Sequence, residues 1–167
     1  MHRNVLWVLV PFLLLSCGKE GVDPNEEPIG VERHPRAMPG KEVMDAKRGK
    51  ELWFAVGIME GVEGTPANGV TQSHFFEDGT SLVNIQLNIE MPPDGFFYEG
   101  WIDRGSLEPL SLGHLRSVTS DVRHQRTFES KEDFRGYNNV FVTREADDGN
   151  PTPDIRVAEG MLKERKR

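Results

Sequence analysis

Cysteine is almost missing from this chain: among 167 residues there is one, Cys17. A lone thiol makes no internal disulfide, so any folded part must be held by its own core. Basic excess is missing as well. Lys and Arg number 20 against 27 Asp and Glu, a formal net charge of −7. That balance excludes the basic footprint nucleic-acid binding needs, and it disfavours adhesion to anionic lipid. There is no Walker A or dinucleotide-binding glycine pattern and no Gly-x-Ser-x-Gly elbow. No apolar run approaches the roughly 20 residues needed to cross a hydrocarbon core about 30 Å thick.

The longest apolar run, residues 5–15, lies behind a short positive lead (Met1, His2, Arg3 and Asn4) and ahead of Ser16 and Cys17. Charged lead, apolar stretch and small residue are the three parts of a secretory signal. Leu14, Leu15, Ser16 and Cys17 resemble the bacterial lipobox. That resemblance implies cleavage between Ser16 and Cys17 and lipid on Cys17: a diacylglyceryl thioether and usually an N-acyl chain such as palmitate. A single acyl chain holds only marginally, so the multiple chains matter. The partner so implied is a membrane, and the location is the cell envelope with the domain extracytoplasmic. Gly18 lacks the Asp that signals inner-membrane retention in some Gram-negative bacteria, which favours the outer membrane in such an organism. Loss of Arg3 with the signal takes the net charge one unit further negative.

Residues 17–48 are expected to form a flexible tether. Pro24, Pro28, Pro35 and Pro39 alternate with Glu20, Asp23, Glu26 and Glu32, and apolar content is too low to offset chain entropy. A coil of about thirty residues reaches roughly 30 Å. Residues 43–49 suit a helical turn. From residue 49 to 163 the pattern becomes short apolar or alternating runs parted by turn signals, and residues 164–167 form a basic, solvated tail. Val83, Ile85, Leu87 and Ile89 alternate with Asn84, Gln86 and Asn88, the period of two of a half-buried strand. Further strands are expected at 52–58, 70–77, 96–103, 110–118, 126–129, 139–145 and 155–162. The expected fold class is all-β: an antiparallel β-sandwich, Ig-like, of about seven to eight strands.

Three segments carry a resemblance. Residues 93–102 run from a Pro-x-Gly turn into Tyr98 and Trp101, residues 112–115 follow with Leu112 and Gly113, and residues 140–153 end in an acidic turn with Pro151 and Pro153. Together they resemble the extracytoplasmic C-terminal domain of anti-sigma-K factors over about residues 51–162. The resemblance implies a sandwich with a sensing or binding role outside the cell. Those factors carry a sigma-binding segment and a membrane-spanning helix before the sandwich, and neither pattern is present here. Sigma binding is therefore not expected to carry over.

Candidate chemistry is thin, and no cofactor and no catalytic residue is assigned. His74, His114 and His124 fall in or near strands, as histidines do in copper-binding sandwiches of the superoxide dismutase kind. No His-x-His spacing or thiolate joins them, so no metal is assigned. Glu99, Asp103 and Glu145 lie nearest the aromatic strand, and Asp147, Asp148 and Asn150 cluster oxygens without the length of an EF-hand. Phe97, Tyr98 and Trp101 are the candidate surface for a ligand or partner, since adjacent strand residues point to opposite faces and one of each aromatic pair is left outward. The expected function is a non-enzymatic, membrane-anchored lipoprotein that binds or senses an envelope protein or small ligand. The alternative is a metal-dependent or hydrolytic enzyme, which convergence of three among His74, His114, His124 and nearby carboxylates would favour.

Overall fold

The computed structural model describes residues 43–105 and 108–166. These residues form ten strands: β1 (Met44–Asp45), β2 (Gly49–Gly61), β3 (Asn68–Phe76), β4 (Ser81–Asn88), β5 (Phe96–Asp103), β6 (Leu110–Ser117), β7 (Arg123–Ser130), β8 (Asn139–Ala146), β9 (Ile155–Met161) and β10 (Lys163–Glu164). Each stretch of alternation in the sequence becomes one of the eight longer strands. Residues 43–49 do not take the expected helical turn. Asp45 accepts the N–H groups of Lys47 and Arg48 at 2.9 and 2.8 Å, and this turn hairpins β1 onto β2.

The expected Ig-like sandwich is not what forms. β2, β3 and β4 make a meander, and β4 then pairs with β7 along its whole length, from Ser81 opposite Ser130 to Asn88 opposite Arg123. β7, β6 and β5 follow as a second meander, β8 joins β5, and β9 joins β8. β9 returns to β2 at Glu60 opposite Glu159 and Gly61 opposite Ala158. The eight longer strands thus close into an antiparallel barrel. Because β8 lies beside β5, across the hairpin-connected β5, β6 and β7, the connection is a Greek key. The physical reason for the correction is simple. Alternation gives each strand one dry face, and two stacked sheets or one closed sheet bury that face equally well. The choice is made by distant pairings, β4 with β7 and β9 with β2, and closure removes the exposed edges a sandwich would keep.

The barrel is filled. Val83, Ile85 and Leu87 of β4 meet Tyr98 and Ile102 of β5, Leu112 and Leu115 of β6 and Val140 and Val142 of β8 in one cluster. Gly100 keeps room for this cluster, since a Cβ there would lie 2.7 Å from the Ile85 side chain. The outer faces of β3, β4 and β7 are polar, in rows such as Gln72, Asn84 and Thr127, with Thr127 donating to Asn84 at 2.8 Å. On these three strands the polar outer face is the reverse of a lipid-facing one.

Two seams replace regular ladder. β6 and β7 pair only at Arg116 with Gln125 and Ser117 with His124. Beyond that point the Arg126 Nε donates to the Leu112 carbonyl at 2.5 Å, beside Gly113 at φ +88°. At the other seam β9 and β10 cross β2 closely, because a Cβ on Gly160 would meet the Ile58 carbonyl at 2.4 Å. Pairing continues past the end of β9: Glu164 lies opposite Ala55, and the Arg165 N–H donates to Phe54 at 2.9 Å.

The strand directions sort the connections into two ends. The near end holds the chain entry at Val43 and the loops 77–80 and 131–138. It is plugged by Phe134, fully buried, with Tyr137 edge-on to it at 5.1 Å. The far end holds the loops 62–67, 89–95, 118–122 and 147–154.

Candidate functional site

Ser16 and Cys17 lie outside the described residues. The candidate aromatic residues of β5 are placed as follows. Tyr98 points into the barrel, donates its hydroxyl to the Glu90 carbonyl at 3.0 Å and meets the buried His124 edge-on at 5.2 Å. Burial raises its pKa. Trp101 points outward yet is buried, its Nε1 donating to Thr143 Oγ1 at 2.7 Å and its ring stacked on Phe141 at 6.3 Å. Phe97 also points outward, half-buried, with the exposed His114 ring on it at 3.9 Å. The three therefore do not share one surface.

The histidines are held apart by the barrel. His74 sits on the outer face of β3 with its Nδ1 2.6 Å from Glu51 and its ring 5.0 Å from Phe54. His114 belongs to β6 and the Phe97 stack, and His124 faces inward from β7 with Nδ1 3.1 Å from the Val122 carbonyl. No three of His, Cys, Asp or Glu gather at metal-ligand reach among the described residues.

The candidate carboxylates serve local structure. Asp103 accepts from the Gly105 N–H at 2.6 Å and from Asn139 at 2.8 Å, Glu145 accepts the Asp154 N–H at 3.0 Å, and Glu99 accepts the Ser111 hydroxyl. The 147–150 turn likewise uses its oxygens on itself: Asp148 accepts the Asn150 N–H at 2.9 Å.

What does assemble is the far end. Five large apolar side chains there face water: Val118 is 78% exposed, Met91 51%, Val122 49%, Ile155 45% and Phe96 40%. They sit on a surface whose loops are tied together. The Ile89 N–H donates to Val122 at 2.9 Å, joining loops 89–95 and 118–122. The Asp147 N–H donates to Gly95 at 3.1 Å, joining the 147–154 loop to loop 89–95, and the Val62 N–H donates to Val157 of β9 at 3.1 Å, fixing the start of the 62–67 loop. The Arg144 guanidinium lies 5.6 Å from the Phe96 ring centre. In loop 118–122 the hydrogen bonds from Arg123 hold the Asp121 carboxyl well below the usual range, and Ser117 Oγ accepts the Asp121 N–H at 2.8 Å. A rim so cross-linked is preformed, which lowers the ordering cost of binding.

Alternation in the sequence could not point to this rim, because its exposed side chains come from loops and strand ends where period two stops. The detectable signal was apolar residues inside turn segments, Met91 before Pro92 and Val118 and Val122 around Asp121. A second feature is a shallow groove of about 400 Å³ on the β2–β9 seam, lined by Ile58, Glu60, Arg156, Glu159 and Met161 among others. Comparison with known proteins finds no matching family model, no matching curated protein and no matching solved structure.

Proposed function

We propose that the chain is an extracytoplasmic lipoprotein, held on the cell envelope by lipid on Cys17, whose β-barrel is a non-enzymatic binding domain. The observation that carries the anchoring is the lone cysteine placed at the end of residues 5–15, within Leu14, Leu15, Ser16 and Cys17. The binding role is supported by the far-end rim, where hydrogen-bonded loops present Met91, Phe96, Val118 and Val122 to solvent. Scattered histidines and carboxylates bonded to backbone and hydroxyl groups favour binding over catalysis. The closed barrel departs from the sandwich that the resemblance to anti-sigma-K domains implied, so no sigma-binding or sensing role is taken from it.

The test is metabolic labelling with radioactive palmitate in a bacterial host. Label should enter the wild-type protein and be lost in Cys17→Ala. Equal labelling of both would sink the anchoring proposal.

A further inference from the structure

The far-end rim has a chemistry beyond its exposed apolar side chains. The loops 62–67, 89–95, 118–122 and 147–154 contain no lysine or arginine. They expose Glu63, Glu90, Asp94, Asp147, Asp148 and Asp154, and no ion pair reaches these carboxylates among the described residues. The near end differs. There Arg48 pairs with Asp45 and Glu129, Lys131 with Asp78, and Arg135 with Asp133, so both signs occur and largely neutralise each other. Arginines border this end from the strands, with Arg123 paired to Asp121 and Arg144 beside the Phe96 ring, but they are fewer than its carboxylates, so the apolar-studded end keeps a net negative charge.

Position adds a second argument. The chain enters the described fold at Val43, whose carbonyl accepts the Glu51 N–H at 2.9 Å at the near end. Strands of eight residues tilted in a barrel set the two ends roughly 20 Å apart. The described fold is thus entered at the end opposite the rim, and the rim's carboxylates are repelled by anionic headgroups.

We infer that the far-end rim, which carries Met91, Phe96, Val118 and Val122 together with exposed carboxylates, docks a protein segment that combines basic and apolar side chains. Apolar contacts supply affinity, and the carboxylates steer and select the partner by charge. The occupant favoured by complementarity is a cationic polypeptide, not the bilayer and not an acidic protein. This inference rests on the binding role proposed above and adds the location of the surface and the class of partner.

The test uses the full chain, lipidated, in nanodiscs of phosphatidylcholine, with empty discs as reference. Two labelled short soluble peptides serve as probes: one of Lys, Leu, Gly and Ser, and one with Glu in place of Lys. Fluorescence anisotropy should show saturable binding of the Lys peptide alone, weakening as salt rises because exposed charges are screened. The double variant Met91→Ser and Val118→Ser should weaken it about fivefold or more, about 1 kcal/mol of lost apolar burial. Asp94→Asn with Asp147→Asn should weaken it and flatten the salt dependence. Melting temperatures of both variants should stay near wild type, since all four side chains are exposed.

Absence of Lys-peptide binding, or equal binding of the Glu peptide, overturns the inference. So does rim-dependent binding of the full chain to added phosphatidylglycerol vesicles, which would make the membrane the occupant. Peptide binding that survives both variants refutes the rim but leaves a binding role elsewhere on the barrel. Failure of palmitate labelling at Cys17 refutes the anchor and leaves the rim intact.

Discussion

Replacing Phe134 with alanine removes the plug of the near end, and its cost follows from the packing. The ring is fully buried and lies 6.1 Å from the Phe128 ring and 5.1 Å from the Tyr137 ring. Its backbone N–H donates to Ser81 Oγ at 3.1 Å, so the loop is pinned and cannot collapse freely into the vacated space. Truncating a buried phenylalanine in such a site costs about 3–5 kcal/mol. With roughly 120 ordered residues and an unfolding entropy of about 2 cal/mol/K per residue, each kcal/mol lowers Tm by about 4 °C. Phe134→Ala should therefore melt about 12–20 °C below wild type, followed by circular dichroism on the full chain. Phe134→Leu, which keeps most of the volume, should lose about a third of that. An alanine variant within about 4 °C of wild type would refute the reasoning, because the barrel would then not depend on this plug.

Glycine positions give a contrast. Gly113 has φ +88° and a Cβ there would sit 3.0 Å from the Arg126 guanidinium, whereas Gly79 has φ +81° with open space around it. Gly79→Ala should cost about 1 kcal/mol from backbone strain, and Gly113→Ala clearly more, since it also displaces the group that closes the β6–β7 seam. Thr143→Val takes away the acceptor of the buried Trp101 N–H and should cost about 1–3 kcal/mol in urea titrations. The hydrogen bond from Lys131 holds the Asp78 carboxyl at about 2, against 3.8 for the free group. The folded value lies below the unfolded one, so this contribution is complete above the unfolded value and is lost as pH falls from 3.8 to about 2. Asp78→Asn should flatten the decline of stability in that window, and an unchanged acid limb would contradict it.

The strands were legible because period two is local. Val83, Ile85 and Leu87 against Asn84, Gln86 and Asn88 announce one dry face without knowledge of any neighbour, and the other seven long strands follow similar cues. Closure was not legible. Whether Ser81–Asn88 pairs with Arg123–Ser130, some forty residues on, depends on edge partners that alternation does not encode. The aromatic residues misled for a related reason. Trp101 was expected with Phe97 and Tyr98 on a ligand or partner surface, but Thr143 and Phe141 on the neighbouring strand bury it. The rim escaped notice because Val122 and Met91 lie in turns, where an apolar residue carries no periodic signature. Cys17 and the tether rest on sequence pattern alone.

The intact mass of the protein extracted from bacterial membranes tests the account most directly. It predicts a chain beginning at Cys17 and heavier than its amino-acid mass by a diacylglyceryl group, with or without an added acyl chain. A chain that retains Met1, or one cut in this region with an unmodified thiol at Cys17, would contradict it.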